Sequence, residues 1–432
     1  MQRKVIQVEE KVPFLQGLPL SFQHLFAMFG ASVLVPFLLN DAAQTQVVDP
    51  SLVLLMNGIG TLLYIFLCKG KSPAFLGSSF AFIGPAILII TSSSDVTGNY
   101  SNVLGGFIVS ALIFCSVALI VRVVGTNWLN VVLPPAAMGP IVALIGLDLA
   151  HTATGMAGLN PSDGIFDTKT IIVSLFTLAV VILGTLLFRG FFSIIPILFG
   201  VLSGYTLAAF LGMVDFTKIT GEGVQLLTMP NFVMPTFDIT AIMIIIPATL
   251  VVISEHIGHL FVTGNIVGRD LTKDPGLHRS LLGDGLSSLI SGFAGSVPTT
   301  TYGENMGVMA ITKVYSVWVI GGAGIISIIL AFFGNLSGAI SSIPVPVMGG
   351  ICILLFGVIA ASGIRMIVEA KVDYSNSKNL ILTSVILIVG ISQVAIKIGS
   401  VELKGMVLAT IVGMLLSLMI YTFDKLKLTN DN

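Results

Sequence analysis

The chain has 432 residues, of which 55% are hydrophobic and only 9% are Asp, Glu, Lys or Arg, against roughly 25% in an ordinary soluble domain. So few charges cannot cover the surface of a soluble protein of this size, which excludes a cytosolic enzyme, a nucleic-acid binder and a disordered scaffold. A mean hydropathy of +1.02 and a net charge of −1 leave an all-α polytopic membrane protein with no basic patch for nucleic acid. Cys68, Cys115 and Cys352 sit in or beside apolar runs and make no disulfide framework.

Met1–Gln16 mixes Arg3, Lys4, Glu9, Glu10 and Lys11 without an apolar stretch, which predicts a cytosolic tail rather than a cleavable signal. Apolar runs follow at Leu20–Leu39, Leu52–Cys68, Phe75–Thr91, Val103–Val124, Val131–Leu149, Thr170–Phe188 and Phe191–Met213. After a longer polar stretch come Ile239–Val267, Leu281–Gly295, Glu304–Ile311, Tyr315–Phe333, Ile343–Ala361, Leu380–Ile396 and Met406–Phe423. That makes fourteen candidate spans. With the N-terminus inside, sixteen Lys and Arg fall on the cytoplasmic side and four (Lys169, Lys218, Lys397, Lys404) on the other. This is the asymmetry that the positive-inside rule requires, and a missed span would reverse every later loop.

Two runs are too broken to be whole helices. Phe75–Thr91 carries Gly77, Ser78, Ser79, Gly84 and Pro85; Gly295–Lys313 carries Pro298 and then Thr299 through Asn305. Polar backbone cannot face lipid, so such segments must line an enclosed cavity. They are the third and tenth runs, seven apart, and other pairs seven apart are alike. Leu133–Ile141 parallels Ile343–Ile351, Gln23-His24 parallels Glu255-His256, and Ser79-Phe80 parallels Thr301-Tyr302. Seven is odd, so the second copy enters from the opposite side. This predicts an inverted repeat with a site near the midplane, as in secondary carriers.

Apart from Asp148 at the end of the fifth run, three acids fall within the spans: Glu255, Asp284 and Glu304. An ionisable group in the hydrocarbon is costly and marks a functional candidate. His259 follows Glu255 by four residues, so the two share a helix face and can exchange a proton in a dry site. Glu304 stands where a polar strand-like stretch becomes a short helix, beside the free amides expected around Gly303; a capping role is compatible with that. Asp284 reads as a cap or a wet interface charge, and His256, on another face from Glu255, as packing. Gln23, His24 and Tyr302 are supporting candidates. No phosphate loop, Cys-x-x-Cys or His-Glu-x-x-His occurs, so no enzyme, cofactor or metal site is expected. Two carboxyl groups beside free amides suit a small, flat, neutral heterocycle with alternating N–H and C=O groups, accumulated by a proton gradient. An inorganic anion would be repelled.

The motifs Pro19–Gly30, Gly77–Phe82, Pro134–Gly139, Glu255–His259 and Thr299–Asn305 together resemble the nucleobase–ascorbate (nucleobase:cation symporter-2) family over nearly the whole chain. The resemblance implies two inverted seven-helix repeats, with short antiparallel strands in spans 3 and 10. It divides the chain into an N-terminal tail (1–17), a core domain (18–126 and 239–336), a gate domain (127–238 and 337–424) and a cytoplasmic tail (425–432). It implies that Glu255, Glu304, Phe80 and Gly303 hold the base and that His259, with Glu255, serves proton coupling. Glu at both 255 and 304 resembles the uracil carriers of the family; purine carriers tend to have an amide at the second position. The expectation is therefore proton-coupled uracil import across the cytoplasmic membrane, by a homodimer joined through its gate domain. A purine or xanthine symporter, or an anion exchanger on the same fold, is the alternative.

Overall fold

The structure, a computed structural model, describes residues 5–161, 164–189, 192–217, 227–392, 394–398 and 401–429. Arg3, Lys4, Lys218 and Phe191, used above, lie outside these. The chain is mostly helical, and eight of the helices among the described residues are long and apolar enough to cross a membrane. Four shorter apolar helices, Phe80–Ile90, Pro196–Phe210, Val317–Ala331 and Ser377–Ile391, accompany them.

The first half runs α1 (Phe14–Ala43), α2 (Pro50–Leu67), β1 (Leu76–Ser78), a single 3₁₀ turn at Phe80–Phe82, α3 (Ile83–Ile90), α4 (Val96–Val124), α5 (Asn127–Val132), α6 (Pro135–Asp148), α7 (Ala150–Met156), α8 (Thr168–Leu187) and α9 (Pro196–Phe210). The second runs α10 (Ile239–Val267), α11 (Leu277–Ala294), β2 (Thr299–Thr301), α12 (Gly303–Thr312), α13 (Val317–Ala331), α14 (Gly334–Ser341), α15 (Val345–Glu369), α16 (Ser377–Ile391), β3 (Ala395–Ile398), β4 (Val401–Lys404) and α17 (Gly405–Lys425).

Loop acids start several helices. Asp49, Asp95, Asp167 and Asp238 accept backbone N–H bonds from the first turns of α2, α4, α8 and α10, which satisfies donors that would otherwise be orphaned. Pro134 and Pro344, from the repeated Pro-rich stretches, stand at the N-caps of α6 and α15 with no side-chain hydrogen bond, each followed by the first helical turn.

The helices form two bundles. In one, α11 packs on α2 and α4, α13 on α1 and α2, and α10 on α4. In the other, α15 packs on α6, α7, α8 and α9, and α16 on α6 and α17. Small residues let α6 and α15 cross closely: a Cβ on Gly363 would strike the backbone of Gly139 and Ala143, the small-residue interface common between membrane helices. The bundles meet where α10 touches α6 and α17 and where α1 touches α9. Burial separates inner from outer helices: the apolar windows of α1 and α10 are 72% buried, that of α8 28%. The apolar outer face of α8 is the surface expected against lipid.

Three features differ from the sequence reading. The thirteenth run, taken as apolar to Ile396, stops being helical at Ile391, and Ala395–Ile398 instead pairs antiparallel with Val401–Lys404. The N-terminal segment is not free: Ile6 bridges Val314, the Tyr315 amide donates to the Ile6 carbonyl at 2.9 Å, and Val8 is fully buried. Asp284 is 1% exposed and lies inside α11, away from its ends, so it is neither a wet interface charge nor a cap.

Candidate functional site

The two broken segments meet. β1 and β2 pair antiparallel, with Leu76 opposite Thr301, Gly77 opposite Thr300 and Ser78 opposite Thr299. A two-stranded ribbon inside a helical bundle leaves outer backbone groups unpaired, and hydroxyls on neighbouring helices meet them. Thr61 Oγ1 accepts from the Leu76 amide at 2.9 Å, and Ser288 Oγ accepts from the Thr299 amide at 3.1 Å and donates to the Thr299 carbonyl at 2.8 Å; from the ribbon itself, Ser78 Oγ donates to the Ser32 carbonyl of α1 at 3.1 Å. Gly77 lies flat against the Tyr302 ring, where any Cβ would collide. The Tyr302 hydroxyl reaches back across the ribbon to the Ser78 carbonyl at 2.9 Å.

Each strand runs into a short helix, so the ribbon ends at two helix N-termini whose first amides have no helical partner. After β1 stands Phe80, 5% exposed, stacked on Tyr302 at 6.3 Å between centroids and edge-on to Phe356 at 6.1 Å. After β2 stand Gly303 and Glu304, both partly buried. Tyr302, at the N-cap of α12, makes no side-chain cap, and Glu304 occupies the first turn. Glu304 thus meets the first turn of α12 with its carboxyl, which is hydrogen-bonded to its own backbone amide.

α10 faces the ribbon with Glu255 and His259, each 8% exposed. The two do not bond to each other as their spacing suggested. Instead His259 Nδ1 donates to the Thr301 carbonyl at 2.7 Å, which leaves Nε2 as an acceptor beside Gly303. Glu255 Oε2 is buried without a hydrogen-bond partner, and the carboxyl lies within electrostatic reach of Glu304 and Asp284. An unpaired buried carboxyl oxygen costs free energy unless something else meets it.

His24 on α1 bonds Asn305 of α12 at 2.8 Å through Nδ1, and Gln23 Oε1 is buried and unpartnered. The parallel between Gln23-His24 and Glu255-His256 does not extend to partners: His256 Nδ1 bonds Asp284 at 2.7 Å. Packing alone is thus not the role of His256. Both residues were visible as polar intrusions in apolar runs, but 28 positions and a helix turn separate them, and no local spacing signals that pairing. Among the described residues no cluster of His, Cys, Asp and Glu could hold a metal.

Broken helices joined by a ribbon inside a polytopic bundle, with two acids and an aromatic ring at the break, define a membrane carrier of small solutes rather than an enzyme. The chain belongs to the permease family, whose profile it matches over residues 15–399. It is 57% identical to the uracil permease of Paenibacillus larvae, over 100% of both chains. It is 58% identical to that of Escherichia coli K12, over 97% of this chain and 94% of the relative, and 43% identical to that of Bacillus subtilis, over 93% and 91%. Two solved structures share the fold at low identity. The transmembrane domain of the cyanobacterial bicarbonate transporter BicA matches at a TM-score of 0.61 and 13% identity, over 95% of this chain and all of that one. SLC26A9 matches at 0.70 and 11%, over 95% and 66%.

Proposed function

We propose that this permease imports uracil with protons across the cytoplasmic membrane by alternating access. The observation that carries the reading is the buried, unpartnered Glu255 Oε2 facing the broken helix that starts at Gly303. Uracil presents what that arrangement lacks. A protonated Glu255 donates to a ring carbonyl, Glu304 accepts from a ring N–H, and the amides at Phe80 and Gly303 complete the edge. Phe80 supplies the stacking face. The uracil permeases at 43–58% identity support the substrate. An anion cargo, as carried by BicA, would meet carboxyl groups here.

In this reading the fourteen apolar segments are spans of two inverted seven-helix repeats, and both termini are cytoplasmic. Spans 1–4 and 8–11 form the core domain that carries the site. Spans 5–7 and 12–14 form the gate against which it moves, and a homodimer joins through the gates. Proton loading involves Glu255 and His259, and uracil moves the equilibrium between outward and inward states only by its differential affinity for them.

Binding of labelled uracil to the detergent-solubilised protein tests the site. Glu255→Ala and Glu304→Ala should each weaken affinity by about 10–100-fold, the range expected when a buried polar group of the base is left without its partner. Wild-type affinity in both removes the assignment. His259→Leu should still bind uracil but lose uptake driven by a pH gradient in proteoliposomes.

A further inference from the structure

His256 and Asp284 take no part in holding the base, yet they form the inner end of an unbroken line of hydrogen bonds. His256 Nδ1 lies 2.7 Å from Asp284 Oδ2 and its Nε2 lies 2.6 Å from Ser280 Oγ. Ser280 Oγ is 2.7 Å from the Tyr64 hydroxyl, which is 2.9 Å from Ser72 Oγ. None of the five residues is more than 1% exposed. Burying a carboxyl, an imidazole and three hydroxyls is costly, and a purely structural purpose is met as well by apolar packing.

The two ends of the line are distinctive. Ser72 adjoins Lys71, which is exposed and paired with Asp274 at 2.6 Å on the side that the loop charges assign to the cytoplasm. A cavity of about 10 Å³ runs beside the line and touches Ser72, Tyr64, His256 and His259, room for about one water molecule. At the inner end Asp284 Oδ1 is buried and unpartnered, and Asp284 Oδ2 accepts from Thr300 Oγ1 of β2 at 3.4 Å, which ties the line to the ribbon of the binding site.

We propose that this line is the path by which the coupled proton leaves the binding site for the cytoplasm; it rests on the proton-coupled reading above. Protonated Asp284 gives its proton to His256 Nδ1 while Nε2–H passes one to Ser280. Ser280 passes its own to Tyr64, Tyr64 to Ser72, and Ser72, itself fully buried, to water that reaches it beside Lys71 when the carrier opens to the cytoplasm. One proton enters, one leaves, and every intervening group loses and gains one. Turning of the hydroxyls and the ring between passages restores the starting polarity. The other titratable groups facing the line are Cys68 at the end of α2, Cys115 on α4, and Glu255 and His259 on α10; Cys68 is hydrogen-bonded to Tyr64 and is a side branch with no onward partner in the line.

Tyr64→Phe removes one link while keeping the ring that packs edge-on to His256 at 6.3 Å. Ser280→Ala removes another, and either variant suffices if the other fails to fold. Two rates are compared in proteoliposomes. One is exchange of labelled uracil against internal uracil without a gradient, in which the carrier returns with its proton still bound. The other is net uptake under a pH gradient, with internal acidification read by a pH-sensitive dye. Exchange should stay within twofold of wild type, while net uptake and acidification fall at least fivefold. Wild-type acidification, or an equal loss of both rates, overturns the path. If the unaltered permease itself exchanged no uracil, the proposed function would fail instead, so the two failures are distinguishable.

Discussion

The two broken segments share a backbone plan and differ in what they present. Both run strand, turn and short helix, and their strands pair residue for residue. After β1 the chain continues Phe80-Ala81-Phe82 and then the wholly apolar Ile83–Ile90; after β2 it continues Gly303-Glu304-Asn305. One break builds an aromatic wall, the other a polar edge. A site that must recognise a flat heterocycle needs both a face and an edge, and the repeat supplies them by diverging at two or three positions while the ribbon stays fixed. A single broken helix would offer one helix N-terminus and no opposing surface.

The glycines of the two breaks give the sharpest contrast. Gly77 lies where a Cβ would run into the Tyr302 ring, and that ring is held by the Ser78 carbonyl and by Phe80, so it cannot swing away cheaply. A Cβ on Gly303 would meet only His259 Nε2 and Met306 Cε, both at 3.7 Å, an ordinary contact. Gly77→Ala should therefore destabilise the protein by about 1–3 kcal/mol, the usual cost of overpacking, and abolish uracil binding with it. Gly303→Ala should stay within about 0.5 kcal/mol of wild type and, because alanine keeps the backbone N–H, still bind. Thermal unfolding in detergent with and without uracil reads both. Equal effects would mean that the two breaks are equivalent after all.

Phe80→Ala tests the face against the edge. Removing the ring takes away a stacking surface and leaves every carboxyl and amide in place. Affinity should fall by about tenfold, on the order of 1.4 kcal/mol. This is less than the loss expected on removing either acid. Titration calorimetry with uracil separates the two, and a larger loss at Phe80 than at Glu304 would reverse the ranking of face and edge.

Much of this was legible in the sequence because its causes are local. Bilayer thickness sets the length of each apolar run. Gly77, Gly84 and Pro85, with Pro298 and the threonines after it, mark the breaks, and an acid inside a span stands out at once. What escaped is what the fold joins from afar. His256 and Asp284 were each visible, but only the packing of α10 beside α11 makes them partners. His259 shares a helix face with Glu255, yet the ribbon's Thr301 carbonyl takes its Nδ1–H. The β3–β4 hairpin did carry a signal, the alternation of Ala395-Ile396-Lys397-Ile398, which the preceding apolar run masked.

The smallest effect concerns how each break is anchored at its outer end. α3 ends at Ile90 and runs straight into a loop, whereas the end of α12 is tied by the N-terminal segment through Ile6, Val314 and Tyr315. Glu9 extends that tie to Arg269 just after α10, at 2.5 Å. The guanidinium hydrogen-bonded to Glu9 holds its carboxyl below the ordinary glutamate range. A carboxyl with a depressed folded value contributes stability above its unfolded value, about 4.3, and loses that contribution as pH falls through the folded one. Both partners are more than a third exposed, so screening keeps the pair to about 0.5 kcal/mol. Glu9→Gln should thus lower the unfolding temperature slightly at pH 7 in low salt. The difference should vanish once pH falls below the lowered folded value and shrink as salt is raised. A shift of several degrees that ignores salt would mean that the strap is held by Glu9 itself rather than by the buried Val8 and the backbone bonds beside it.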